Sequence, residues 1–465
     1  MPTRSPPIIN HQSSITDSSL IISVSGLRGI VGRSLTPETA LRYACAFAAE
    51  APPGGVIVTR DGRATGGMLA RAVSAGLMAM GRDVIDAGVA ATPTTGVLVR
   101  QLRAAGGIQV SASHNPAEYN GLKLFSAAGR VIPAADGLQV LARFHAGTSP
   151  WVTHEAIGAE QTCHDTTGEH LRLVLQCVDV ERIRARGFRV LLDANRGAGG
   201  VLGSKLLEAL GCQVVVLGGT PDGRFAHPPE PTAENLAGVL RRVADEQCDV
   251  GFCQDPDADR LAILDEAGCY LGEELTLALC VEHVLRQRPG PVVTNCSTSR
   301  MAEDIARRHG VPFYRSAVGE ANVVDEMLRR SAVLGGEGNG GVIDPRVVLV
   351  RDSFIGMALV LDALASRERG ATIGQLASEL PRYEIVKTKA SLSQEKLPAA
   401  YAALERHFND AAADRLDGLR LDWPAAWLLV RPSNTEPIVR IIAEAPTNAD
   451  AQRLCREAGA ALASA

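Results

Sequence analysis

Short runs rich in Val, Ile and Leu recur along the chain, separated by longer stretches in which apolar residues return every three or four positions. The runs fall into triplets: "GGVIVTRD" (54–61), "DVIDAG" (83–88) and "GGIQVSAS" (106–113); "FRVLLDAN" (188–195), "CQVVVLGG" (212–219) and "CDVGFCQD" (248–255); "GPVVTNCS" (290–297), "PFYRSAVG" (312–319) and "AVLGGEGN" (332–339). Each is short, apolar and closed by glycine or polar residues, as a strand buried in a parallel sheet should be. Stretches such as "GGMLARAVSAGLMAMG" and "AEDIARRHG" carry the helical period between them. Strand–helix alternation predicts α/β units with helices on both sheet faces, and three triplets predict three such units. From about residue 382 the pattern changes. "YEIVKTKASL" and "AWLLVRPSNTEPIVRIIAEA" read as strands of a mixed or antiparallel sheet, and "NADAQRLCREAGAALA" as a helix, so a smaller α+β domain is expected there.

The third strand of each triplet runs into a polar or Gly-rich loop: "SASHNP", "DPDADR" or "GGEGNGG". Ligands of open α/β sheets bind at the carboxyl ends of the strands, so three equivalent units can offer three loops to one cleft. The 465 residues fit three domains, or four, at about 150 residues each. A net charge of -5 supplies no basic field for nucleic acid, and 4% aromatics leave few platforms for stacked bases. No apolar run approaches the roughly 20 residues that cross a bilayer, so neither nucleic acid nor membrane is an expected partner. Ten cysteines without a C-x-x-C pair read as reduced, mostly buried thiols of a cytoplasmic protein. The opening "MPTRSPPIINHQSSITDSS" lacks a signal pattern and reads as a loose tail.

In "DPDADR", the alternating Asp255, Asp257 and Asp259 can turn three carboxylates toward one hard cation. An EF-hand would place Glu266 correctly, but Arg260 stands where that loop needs glycine, and the flanks "CDVGFC" and "LAILD" look like strands. A haloacid-dehalogenase D-x-D would continue with Gly-Thr after a first strand, whereas Arg260 follows here, deep in the chain. A solvated acidic turn is the plain alternative, although three close carboxylates repel one another unless a cation or Arg260 compensates. "GGEGNGG" contains G-x-G-x-x-G at Gly336, Gly338 and Gly341, yet "VIDPRVV" with Pro345 does not open the helix a dinucleotide site needs. Either it is a simple turn, or Glu337 and Asn339 offer acceptors and a donor to sugar hydroxyls. In "RPSNTEPIVR", the residues Arg431, Ser433, Asn434, Thr435 and Arg440 form either a capped turn or a cradle for phosphate. Ser113 has no G-x-S-x-G elbow, and His114 cannot easily be its base because neighbouring side chains diverge on an extended backbone. A cap or a turn is the usual fate of such a serine. His114 reads as a positioning hydrogen-bonder rather than a metal ligand.

Taken in order and spacing over nearly the whole chain, "SASHNP", "DPDADR", "GGEGNGG" and "RPSNTEP" resemble the four loops of the α-D-phosphohexomutase superfamily, which includes phosphoglucomutase, phosphomannomutase and phosphoglucosamine mutase. "SGLRGIVG", "VTRDGR" (58–63), "LDANRGAG" (192–199) and "HPPEPTAENL" (227–236) extend the resemblance. It implies three similar α/β domains with mixed, mostly parallel sheets, plus a smaller C-terminal α+β domain, around a central cleft. The implied divisions are a flexible tail 1–18, domain I 19–166 with a phosphoserine loop, domain II 167–267 with a metal loop, domain III 268–380 with a sugar loop, and domain IV 381–465 with a phosphate loop.

The resemblance implies that Ser113 carries a phosphoryl group, whose charge of about -1.5 to -2 needs a counter-ion. Mg²⁺ on Asp255, Asp257 and Asp259, with the Ser113 phosphate as a further ligand, would supply it. The implied reaction moves phosphate between C1 and C6 of a hexose through a bound hexose 1,6-bisphosphate, which also serves as activator. Arg431, Ser433, Asn434, Thr435 and Arg440 would grip the distal phosphate, and Glu337 the ring hydroxyls. Lys123 is the first candidate for general acid and base, with simple counter-charge as the other reading. Arg28 is expected to give electrostatic support, and His114 and Arg260 to orient phosphate and metal loop. Asn339 and Gly341 stand where many relatives have Ser and His in G-E-x-S-G-H, so a histidine contact is absent or replaced. Glucosamine phosphate is placed slightly ahead of mannose and glucose phosphates, acted on by a monomer or homodimer. A metal-dependent sugar phosphatase and a non-catalytic sugar-phosphate-binding protein are the competing functions.

Overall fold

The structure, a computed structural model, describes residues 20–147, 149–432 and 438–463. All nine apolar runs are strands: Val56–Arg60, Val84–Val89 and Gly106–Val110, then Arg189–Asp193, Gln213–Leu217 and Val250–Gln254, then Val292–Asn295, Phe313–Ser316 and Leu334–Glu337. In every triplet the first strand lies in the middle with the other two parallel on either side. Helices make the crossovers, as parallel neighbours require. The third strand of each triplet then turns back into an antiparallel partner, Tyr119–Ser126, Leu261–Leu264 or Gly341–Ile343. The loops 111–118, 255–260 and 338–340 are therefore hairpin connections at one equivalent place in three copies of a single topology.

The first sheet grows to seven strands, and its ladders divide evenly into three parallel and three antiparallel. Its added strand Gly26–Ile30 pairs with Tyr119–Ser126 and brings Arg28 opposite Gly121. A Cβ at Gly121 would sit 2.5 Å from the Leu27 carbonyl oxygen and 2.7 Å from that of Ser111, so only glycine lets these backbones close.

The C-terminal domain is a five-stranded antiparallel sheet in the order Glu384–Ser391, Ile438–Ala445, Trp427–Pro432, Leu419–Asp422, Ala412–Asp414. Period-two alternation assigns its faces. Leu428, Val430, Ile441 and Ala443 pack on helices Leu397–His407 and Asn448–Ala463. Trp427, Leu429 and Ile442 point the other way and pack on Cys296 of the third unit.

Helix Ser353–Ala365 is buried along its whole length and packs against helices Gly168–Leu175, Val180–Arg184, Gly199–Ala209 and Glu273–Gln287. It binds the third unit to the second. Asp352 caps it, accepting from Phe354 N at 2.8 Å, while His170 Nε2 lies 2.9 Å from the other Asp352 oxygen. All ten cysteines are unpaired. Among the described residues, no helix is long and apolar enough to cross a membrane.

Candidate active site

Two hairpin loops from different units meet at Ser113. Its backbone is left-handed, with φ 49°, which costs a non-glycine residue about 1 kcal/mol. The Ser113 N–H donates to Ser111 Oγ at 3.0 Å, and Ser111 Oγ donates to Asp61 at 2.7 Å. Buried Arg63 supplies most of the bracing. Its guanidinium donates to the carbonyls of Ser113, Asn115 and Pro116 at 2.6 Å each and of Tyr119 at 3.0 Å, and its Nε to Asp61 at 3.1 Å. One side chain thus donates to four loop carbonyls, of which that of Pro116 also accepts from Tyr119 N at 3.1 Å.

So held, the buried Ser113 hydroxyl donates to Asp255 Oδ2 at 2.7 Å. Asp255, Asp257 and Asp259 are all fully buried, and one oxygen from each lies within 4.8 Å of the others. Lys123, on the strand after the serine loop, donates to Asp257 Oδ2 at 2.5 Å and Asp259 Oδ2 at 2.9 Å. Thr92, at the start of helix Thr92–Gln101, lies 2.5 Å from Asp257 Oδ2. Burial opposes the charge on Lys123, but Asp257 and Asp259 outweigh it and hold the ammonium above its ordinary range. Burial likewise opposes charge on Asp257 and Asp259, but Lys123 lowers Asp257, and Arg351 with Lys123 lowers Asp259. On Asp255 the pull of Arg260 is outweighed: burial, Asp257 and Asp259 raise it well above the usual carboxylate range. Among the described residues, buried Oδ1 of Asp257 and buried Oδ1 of Asp259 accept no hydrogen bond, although Arg260 Nε lies 4.0 Å from the latter. Two orphaned carboxylate oxygens and a third carboxyl destabilised by its neighbours suit a hard divalent cation, which all-oxygen ligands favour.

Arg28 Nη1 donates to Asn115 Oδ1 at 3.0 Å, beside the serine loop. His114 Nδ1 is 3.4 Å from Ser113 Oγ, and burial, Arg260 and Arg28 push the imidazole down to about 3, so it is neutral near pH 7. Arg260 reaches Glu230 at 3.4 Å, and its buried Nε lies 4.0 Å from Asp259 Oδ1, too far for a hydrogen bond.

Glu337 ends the third strand of the third unit and is buried. It accepts from Asn295 Nδ2 at 2.7 Å, Gly319 N at 3.2 Å and Arg351 Nη1 at 2.9 Å. Asn339 Oδ1 is buried with no partner. Arg431 and Arg440 stand apart on the C-terminal sheet, directly opposite one another, with Lys389 opposite Arg440 on the next strand. Three cations in one row repel unless an anion joins them. Arg431 Nε donates to Asp417 at 3.1 Å. Ser433, Asn434 and Thr435 lie outside the described residues.

Sequence reasoning singled out neither Thr92, Lys389, Glu320 nor Arg351, and it quoted Arg63 only as part of "VTRDGR". The register of the two strands after residue 382 could have revealed Lys389. The remaining contacts join residues far apart in the chain, which no local pattern signals.

Four domain families match in order: phosphoglucomutase/phosphomannomutase α/β/α domain I over residues 20–150, domain II over 168–268, domain III over 273–383, and the C-terminal domain over 386–460. A phosphoglucomutase/phosphomannomutase of Thermococcus kodakarensis is 37% identical over 435 residues, covering 92% of this chain and 95% of its own. A protein named probable phosphoglucosamine mutase, from Pyrococcus horikoshii, is 33% identical over 439 residues, covering 93% and 96%. Among solved structures, a phosphoglucomutase/phosphomannomutase family protein of Burkholderia thailandensis superposes with TM-score 0.82 at 28% identity, covering 97% of this chain and 98% of that one.

Proposed function

The chain belongs to the α-D-phosphohexomutase superfamily and is an isomerase of the intramolecular phosphotransferase kind, and from that premise we propose that it interconverts hexose 1- and 6-phosphates through a phosphoryl group carried on Ser113. The observation that carries the reading is the Ser113 hydroxyl, buried and 2.7 Å from a carboxylate of the acidic trio. A structural cap or turn would not need an alcohol placed among three aspartates by a strained backbone.

Asp255, Asp257, Asp259 and the Ser113 phosphate would hold Mg²⁺, which when bound supplies charge neutralisation to the transferring phosphoryl group. In the first half-reaction the bond from phosphorus to Ser113 Oγ breaks, and a bond forms to the free sugar hydroxyl. The proton lost by that hydroxyl is balanced by the one Ser113 Oγ regains. The bound hexose 1,6-bisphosphate then turns end for end, and its other phosphate returns to Ser113. Lys123 is assigned the counter-charge role, since its ammonium is already fixed by two carboxylates and has no free pair to act as a base. Arg28 and His114 flank the serine loop and orient the phosphoryl group; neutral His114 does so by hydrogen bonding. Glu337, with Asn339, receives ring hydroxyls. Arg431 and Arg440 hold the distal phosphate, which neutralises their mutual repulsion and that of Lys389.

Glucosamine phosphate is the substrate proposed, ahead of mannose and glucose phosphates. Relatives named probable phosphoglucosamine mutase support the choice, as does "GEGNGG" in place of a histidine-bearing loop. The test is an assay with the 1-phosphates of the three sugars, each primed with its 1,6-bisphosphate and Mg²⁺. The 6-phosphate should accumulate without inorganic phosphate, fastest for glucosamine. Inorganic phosphate released as fast as substrate disappears would instead make the protein a sugar phosphatase.

A further inference from the structure

Gly341 has no side chain, and the structure shows what fills the space beside it. A Cβ at position 341 would lie 2.3 Å from Cδ of Arg351. The arginine stem runs through that volume, and the guanidinium is spread over three carboxylates from three places in the chain. Nη2 donates to Asp259 Oδ2 at 2.7 Å, Nη1 to Glu337 Oε2 at 2.9 Å and Nε to Glu320 Oε2 at 3.1 Å. Glu320 also accepts from the Arg351 backbone N–H at 3.0 Å, which fixes the root of the side chain. Arg351 is buried and directly precedes Asp352, the cap of the buried helix Ser353–Ala365. Next to the cap, Ser353 Oγ donates to the Ala258 carbonyl in the metal loop at 2.7 Å. The fork is therefore held at both ends. It joins a carboxylate of the acidic trio to the carboxylate proposed to receive sugar hydroxyls, through a planar group that cannot let go of one without turning against the other.

We propose that Arg351 is a positioning residue that couples the metal loop to the sugar loop, so that occupancy of the Asp255–Asp259 trio and occupancy of Glu337 favour each other. The inference rests on the proposed mutase site. Asp259 has one oxygen bonded to Lys123 and Arg351, while the other, 4.0 Å from Arg260 Nε, accepts no hydrogen bond among the described residues. A cation drawn to the trio fixes Asp259, Asp259 fixes the fork, and the fork presents Glu337 in one orientation. By linkage, a sugar held by Glu337 strengthens metal binding by the same factor. The space that a side chain at 341 would take thus houses the connector.

The experiment uses the full chain as Ser113→Ala, which binds without turnover. Mn²⁺ affinity is titrated calorimetrically with and without saturating glucosamine 6-phosphate. The parent should show sugar-dependent tightening of about 5-fold or more, within the usual range of site coupling. Arg351→Lys keeps the charge and loses the fork, and Arg351→Met loses both. In each, Mn²⁺ and the sugar phosphate should still bind separately, while the tightening shrinks several-fold; direct attraction between cation and phosphate accounts for the remainder. If Arg351→Met leaves three buried carboxylates uncompensated and fails to fold, Arg351→Lys decides. Tightening that persists unchanged in the folded variant, or no tightening in the parent, overturns the inference. A parent that binds no Mn²⁺ at the trio, or no sugar phosphate at all, instead overturns the proposed function.

Discussion

The two oxygens of the Asp257 carboxylate have different surroundings. Oδ2 takes the ammonium of Lys123 and the hydroxyl of Thr92, whereas buried Oδ1 accepts no hydrogen bond among the described residues. A residue present only for stability would not leave half its charge unsatisfied. Asp257→Asn should keep the fold, because Lys123 retains Asp259, but it removes the charge that a divalent ion needs. Turnover is expected to fall by roughly 100-fold or more, the loss typical when a group stabilising transition-state charge is removed. Mn²⁺ titration should weaken in parallel while the circular dichroism spectrum is unchanged; full Mg²⁺-dependent turnover in the variant would contradict the metal assignment. At this scale the sequence was informative where chemistry is local. Three aspartates at alternate positions announce themselves in "DPDADR". Arg351 does not, since its meaning lies in partners from three separate segments.

Helix Ser353–Ala365 shows how an element positions the site at an energetic risk. It carries a buried aspartate, Asp362, on an otherwise apolar surface. Asp362 accepts from Arg182 at 2.6 Å and lies 2.9 Å from His283 Nε2. Burial opposes the charge, but His283 and Arg182 win and hold the carboxyl below its usual value. A lowered folded value means that the contribution to stability is fully present above the ordinary aspartate range near ~4, and is lost as pH falls through the folded value. Arg182 is 35% exposed, so the pair is worth about 2 kcal/mol rather than the roughly 3–5 lost on breaking a fully buried one. Denaturant unfolding at pH 7 and at about pH 3 should show a smaller acid loss in Asp362→Asn than in the parent. An identical acid loss in both would remove Asp362 from this role. The helix itself was hard to read from sequence, because it is apolar on all sides and shows no helical stripe. Of the three antiparallel partners, Leu261–Leu264 reads as a strand in "LAILD", and the other two were hidden for another reason: Tyr119–Ser126 contains Asn120 and Gly121, and Gly341–Ile343 has three residues.

At the scale of the molecule, one strand topology used three times sets hairpin loops at equivalent positions, and a C-terminal sheet adds a row of cations. The triplets were legible because the central strand of each, such as Val56–Arg60 and Arg189–Asp193, is largely buried on both faces and runs nearly continuous in apolar residues, although edge strands such as Gln213–Leu217 are partly exposed. Contacts between units were not, since they depend on how the units pack. Ser113 on the Asp255 carboxylate and Arg351 on Asp259 are such contacts. The account requires the first of them to be a phosphoryl carrier. The most direct measurement is peptide mapping by mass spectrometry after incubation with glucosamine 1,6-bisphosphate and Mg²⁺, followed by unlabelled sugar 1-phosphate. One phosphoryl group should appear on the peptide containing Ser113, pass to the added sugar, and never appear in Ser113→Ala. Sugar phosphate isomerisation that proceeds while Ser113 remains unmodified at every time point would contradict the account.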